Sequence, residues 1–245
     1  MGWAGHLGTS AAKDNIVSEL EALSAKRLTP CLSLVIEETA DYLFTLSTSS
    51  RLDQKNQDQC YQAFLVLQSA SKTIVSEIAA TISLAFQNYR LPTVDDEIDE
   101  EAEIAVLSLV ALEEFEDTLA IEKLVRAGTE RFWLELESIM LRLGNGLSIE
   151  PDAVELPVSP RTICSAYRQS LQNIDFPRAF LVDADSAFVR KLLPELAGIY
   201  RALNEHLASL GLLPDIEAEL KQTGSIADSN QYSSRGKYLR SRRGR

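Results

Sequence analysis

Apolar residues return every three or four positions along most of the chain, as they do in helices that each bury one face. Ile16, Leu20 and Leu23 predict a short helix beginning near Asp14. Thr29 followed by Pro30 reads as the N-cap and first residue of a second helix. Its stripe runs through Leu32, Val35, Thr39, Tyr42, Leu43 and Leu46, and residues 47–53 form a polar turn. Between Gln54 and Arg90 there is neither proline nor glycine. Tyr61, Phe64, Leu65, Ala70, Ile74, Ile78 and Ile82 keep an approximate helical period there, so one long helix or a broken pair both fit.

The stretch "LPTVDDEIDEEAE" (91–103) interrupts this pattern. Seven acids fall within nine residues soon after Pro92, which predicts an exposed acidic loop over 92–103. In "LSLVALEEFEDTLAIEKLV" (107–125), Leu112, Phe115 and Leu119 share one helical face. Glu113, Glu114, Glu116 and Asp117 fall mostly off that face, near the positive end of the helix dipole. There each contributes roughly 0.3–1 kcal/mol at best. The LSLV tetrad packs down as an apolar lead-in, and the helix should stop near Gly128. Thr129 can cap a helix in which Phe132, Leu136, Ile139 and Leu143 face one way and which Gly144 and Gly146 end.

Three prolines in "SIEPDAVELPVSP" (148–160) predict an extended connection across the surface. Ser159 and Pro160 repeat the cap-then-proline signal, and residues 177–215 read as two helical pieces meeting near Pro194. From Glu217 the apolar period lapses. The expected fold is all-α: an irregular multi-helix bundle of seven to nine helices over residues 13–216, with disordered ends at 1–12 and 217–245.

Composition fits this reading and narrows the function classes. Apolar residues make up 45% of the chain and charged residues 24%, and eleven Gly with eight Pro are too few for a loop-rich β fold. The formal net charge of −12 conceals an asymmetry, because the last eleven residues hold Arg235, Lys237, Arg240, Arg242, Arg243 and Arg245 with no acid. The rest, 18 bases against 36 acids, repels nucleic acid, so contact with phosphates is expected only through that basic tail. No run of 18 apolar residues exists, which argues against a membrane span. The N-terminus lacks a secretory signal pattern. Cys31, Cys60 and Cys164 are odd in number and far apart, as in a protein of the reducing cytoplasm.

Candidate chemistry is sparse. Asp95, Asp96 and Asp99 reproduce the DDxxD spacing with which helical isoprenoid synthases hold magnesium, so a metal-dependent enzyme is the main enzymatic alternative. No second aspartate-rich motif follows, and bases for a diphosphate are not clustered nearby. In "AFLVDADSA" (179–187), Asp183 and Asp185 mimic a phosphotransferase nucleophile and acid, but the alternating strands of that fold are missing; a helix start capped by Asp183 or Asp185 is the simpler reading. With only His6 and His206 and no CxxC, zinc and di-iron sites lack ligands, and "GNGLSI" (144–149) lacks the third glycine of a dinucleotide loop. No cofactor is implied.

Three blocks, "LSLVALEEFEDTLA" (107–120), "PVSPRTICSAY" (157–167) and "IYRALNEHLASLGLLPDI" (199–216), together resemble the N-terminal part of a bacterial family known as domain of unknown function 1631. The first match is carried by Leu107 to Val110, Glu113 to Asp117 and Leu119-Ala120. The second rests on Pro157, Pro160, Cys164, Ala166 and Tyr167, and the third on Tyr200, Leu203, Asn204, Leu207, Gly211, Leu213 and Pro214. The resemblance covers roughly residues 30–216 and departs at Ala111 and Leu112, where members usually keep acids. It implies no assigned activity. A thymidine phosphorylase label attached to some members finds neither a phosphate-cradling glycine loop nor an α/β pattern in this chain.

The resemblance also implies longer relatives that continue into a second region, so the chain reads as their N-terminal module, either a short paralogue or a truncated product. Tyr200 and Asn204, four residues apart, point to a buried polar bond between helices or, alternatively, a ligand contact. The expected function is a non-enzymatic interaction or regulatory module with a protein partner, which the missing C-terminal region of a longer relative would supply.

Overall fold

A computed structural model describes residues 10–90, 122–123, 125–147 and 155–227. Every regular element among them is helical, as the apolar periodicity implies. α1 (Ser10–Ser47) and α2 (Gln54–Arg90) form a long hairpin, each about 55 Å at 1.5 Å per residue. Asp53 starts α2 by accepting from the Asn56 amide at 2.8 Å. The hairpin is antiparallel: Cys60 Sγ donates to the Leu43 carbonyl at 3.2 Å near the turn, and Ser83 Oγ donates to Glu21 Oε1 at 2.5 Å toward the far end.

Helical residues 125–131 lead into α3 (Trp133–Leu147), with the ladder carried across Phe132 by amide bonds to Gly128 and from Leu136 at 3.1 and 2.9 Å. α4 (Pro160–Gln172) follows, then a 3-10 turn (Arg178–Phe180), α5 (Leu181–Ser209) and α6 (Ile216–Ala227). α5 lies antiparallel on α1, α4 packs on α2 and α5, α3 on α5, and α6 on α3. The ion pair Lys191–Glu38 (3.2 Å) and a contact between His206 Nε2 and Glu19 Oε2 (3.0 Å) clip α5 to α1.

α1 is the shared element. Ile16, Leu20, Ser24, Leu28, Leu32, Val35, Thr39 and Leu43 are buried at steps of four and three, and Val17, Ile36 and Ala40 add a second buried line. Two lines are needed because α1 is wedged between α2 and α5. This stripe continues through Pro30, so Thr29-Pro30 is not a helix start: α1 is one helix with Pro30 inside. Pro30 is exposed and forfeits only one backbone bond, to the Lys26 carbonyl. Pro194 likewise lies within α5 rather than between two helices, on an exposed position while Leu192, Leu196 and Ile199 hold the buried face.

Other expectations shift by a fraction of a turn. Along α2 the inward line is Cys60, Ala63, Leu67, Ile74, Ile78, Ile82 and Phe86, whereas Tyr61 and Leu65 are 42% and 36% exposed. One position is about 100° of rotation, and the larger side chains at 61 and 65 had suggested the wrong line. Gly146 does not end α3, which runs to Leu147. A Cβ at 146 would approach Leu212 Cδ1 to 3.1 Å, so glycine there permits close packing. The connection before α4 does not stay on the surface: Leu156, Val158 and Ser159 are buried, with the Ser159 amide closing a turn onto the Leu156 carbonyl at 2.9 Å. Ser159 then caps α4, accepting from the Thr162 amide at 3.0 Å with Pro160 in the first turn. Residues past Glu217 begin as α6, anchored by its first turn.

Ile78 is fully buried at the centre of α2. Ile78→Ala should lower stability by about 3 kcal/mol, seen as a fall in urea midpoint with unchanged slope. A loss below about 1 kcal/mol would contradict this packing.

Candidate functional site

The most connected polar group is Arg142, 1% exposed on the inward face of α3. Its Nε donates to the Leu212 carbonyl (3.1 Å), Nη1 to Asn204 Oδ1 (2.6 Å) and to Glu217 Oε1 (2.5 Å), and Nη2 to Glu217 Oε2 (2.7 Å) and the Pro214 carbonyl (3.2 Å). Every partner side of the planar guanidinium is used, which is what a buried cation requires. Asn204 turns its amide nitrogen to the Glu135 carbonyl at 3.0 Å, so both ends of that side chain are bound. The two acceptor carbonyls come from a tight turn after α5, in which Gly211 has φ +80° and Leu213 φ +43°. The left-handed region is open to glycine and strained for leucine. Arg142 on one side and the docking of Leu212 against Gly146 on the other hold the turn in place.

A second buried cluster joins α4 and α5. Tyr167 stacks on Phe188 with ring centroids 3.8 Å apart and planes 4° apart. Asp185, 3% exposed, is paired with Arg168 rather than capping α5, whose first residues carry no side-chain cap bond. Tyr200 donates from its hydroxyl to the Val158 carbonyl at 2.9 Å and meets Phe132 edge-on. Burial pushes the Tyr167 and Tyr200 hydroxyls well above the usual range, reinforced by the Asp185 carboxylate at Tyr167 and by Cys164 at Tyr200.

The thiols are held in their protonated form. Burial, then Asp185, takes Cys164 to about 12; burial with Asp183 takes Cys60 to about 11, and burial with Glu195 takes Cys31 to about 11. Such thiols make poor nucleophiles at neutral pH. All three are free cysteines.

The sequence candidates therefore separate. Tyr200 and Asn204 are both buried on α5, but they bond to different elements, the α4 approach and α3, and not to each other. Asp95, Asp96, Asp99, Glu113, Glu114, Glu116, Asp117 and the tail residues 235–245 lie outside the described residues. Among the described residues no group of three His, Cys, Asp or Glu side chains stands where it would share a metal ion. No described helix is long and apolar enough to cross a membrane. Sequence reasoning missed Arg142, although the signal is visible: a lone arginine three residues after Ile139, on the same inward face.

Two surface features complete the inventory. Beside the α1–α2 turn, the rings of Phe44, Tyr61 and Phe64 pack on one another with centroids 5.3–6.4 Å apart, yet Phe44 remains 45% exposed. Between α1 and α5, a cleft opens beside Pro30 and Gly198.

The Arg142 pair lowers the Glu217 pKa, mainly through its hydrogen bonds. A depressed carboxyl contributes stability above its unfolded pKa of about 4.3 and loses it as pH falls through the folded value. Glu217→Gln should cost about 2 kcal/mol at neutral pH, less than breaking a fully buried pair, because Glu217 is itself a third exposed and three other acceptors remain for Arg142. The deficit relative to wild type should shrink below about pH 4.3, and a deficit independent of pH would contradict the ion pair. Tyr167 Oη has no partner among the described residues. Tyr167→Phe, which keeps the stack and deletes the orphaned hydroxyl, should raise stability by about 1 kcal/mol in thermal unfolding. A loss of similar size would show that the hydroxyl is bonded in solution.

No curated protein and no solved structure matches this chain. The family model described as protein of unknown function (DUF1631), N-terminal domain, matches residues 12–211. That span runs from the first turn of α1 through α5 and stops at Gly211, inside the turn that Arg142 grips. The chain belongs to the DUF1631 family, of which it carries the N-terminal domain.

Proposed function

We propose that this domain is a non-enzymatic interaction module, with the aromatic face beside the α1–α2 turn as its contact surface. The observation that carries the reading is the exposed pair Phe44 and Tyr61, seated on the partly buried Phe64 and extended by Leu65 at 36% exposure one turn along α2. Single exposed apolar residues are ordinary, but rings packed into a continuous face on two rigid helices match the aromatic anchors found at protein interfaces. The buried polar groups, by contrast, are spent on holding helices together.

The partner that fits is a protein segment with a complementary apolar face, supplied by the region that follows this N-terminal domain in longer members of the family. The three free cysteines suit a reducing compartment, so we read the setting as a bacterial cytoplasm.

Calorimetric titration of the chain with the C-terminal region of a longer family member should show saturable binding. Phe44→Ser combined with Tyr61→Ser should weaken it at least tenfold, about 1.4 kcal/mol, while the circular-dichroism spectrum stays helical. Absence of binding by the wild type, or equal binding by the double variant, would overturn the proposal.

A further inference from the structure

The seam between α1 and α5 is closed at both ends and open in the middle. Lys191–Glu38 bridges one end at 3.2 Å and His206–Glu19 the other at 3.0 Å. Between them lies a cleft of about 460 Å³, within the range of about 300–1,000 Å³ that small-molecule sites occupy. Its existence follows from the chain. Pro30 on α1 lines the cleft and removes the amide that would pair with the Lys26 carbonyl. On α5, Gly198 faces open space, since a Cβ there would meet nothing within 4 Å.

The cleft carries charges of both signs. Elsewhere on the seam Glu19, Glu38, Lys191 and His206 are paired, whereas Lys26, Arg27 and Glu195 around the cleft have no ion-pair partner among the described residues. Two adjacent cations left unpaired in a chain of net charge −12 form a local positive spot, and Arg binds carboxylates in a planar fork. Opposite them, the Glu195 carboxylate can only accept hydrogen bonds, so a ligand needs a donor as well as an anion. Leu23 and Ile199 supply apolar surface beneath.

We infer that this cleft binds a small amphipathic acid carrying both a carboxylate and a hydrogen-bond donor, the chemistry of a free amino acid with an apolar side chain. The carboxylate meets Lys26 and Arg27, the ammonium meets Glu195, and the side chain lies over Leu23 and Ile199. Nothing is transferred or cleaved; the site is one of binding.

The test uses the full chain, titrated with L-phenylalanine and, separately, with 3-phenylpropionate, which lacks the ammonium group, while amide NMR shifts are recorded. Phenylalanine should give saturable shifts confined to residues 23–31 and 195–199 with a Kd of about 1 mM or tighter, and 3-phenylpropionate should bind about tenfold more weakly. Gly198→Leu starts from a position where a Cβ meets nothing within 4 Å, so the variant should stay folded, with an unfolding midpoint no lower than wild type, and abolish the shifts. Arg27→Ala should weaken phenylalanine about tenfold. The inference fails if phenylalanine gives no saturable shift, if the shifts lie elsewhere, if both ligands bind equally, or if a folded Gly198→Leu variant binds as the wild type does.

Discussion

A guanidinium buried to 1% exposure sets the terms on which α3, the end of α5 and α6 come together. Removing a cation from water costs several kcal/mol even after relaxation, and only a full set of acceptors in good geometry offsets it. Arg142 obtains that set from three separate places: Asn204 in the middle of α5, the carbonyls of Leu212 and Pro214 in the following turn, and Glu217 at the start of α6. Each acceptor must be held within a few tenths of an ångström. The constraint therefore fixes where α5 ends, how sharply the chain turns, and where α6 begins. The left-handed residues Gly211 and Leu213 are the local cost of bringing two carbonyls to face one side chain.

The same view explains what the motif residues do. Those in the second and third blocks, which carry the family resemblance, are largely consumed by packing. Ser159 and Pro160 start α4, Cys164 and Tyr167 are buried beneath it, Tyr200 ties α5 to the approach of α4, and Asn204 ties α5 to α3. A motif of this kind specifies an architecture. The features outside that packing, the aromatic face at the hairpin turn and the cleft on the α1–α5 seam, are the ones on which the functional proposals rest.

Helix content was legible because apolar period depends on local spacing alone, and the inward residues Leu32, Val35 and Leu43 of α1 and Ile74, Ile78 and Ile82 of α2 were all readable from it. Helix ends were less so. Thr29-Pro30 and Pro194 carry local signals of a boundary, but long-range burial on both sides of each proline keeps the helix continuous, and no local rule contains that term. The long-range ion pairs were harder still. Arg142 and Glu217 stand 75 residues apart, as do charges that never meet, and only the fold reveals that one reaches the other. The polar character of Asn204 and Tyr200 hinted at interhelical bonds, yet their partners are mostly backbone carbonyls, which sequence does not distinguish.

Exchange of the Arg142 Nε proton with solvent, followed by NMR, tests the central constraint most directly. That proton is bonded to the Leu212 carbonyl inside the core, so it should exchange as slowly as the central amides of α5, only when the domain opens. Exchange as fast as at a solvent-exposed arginine in the folded protein would mean that the clamp is not formed.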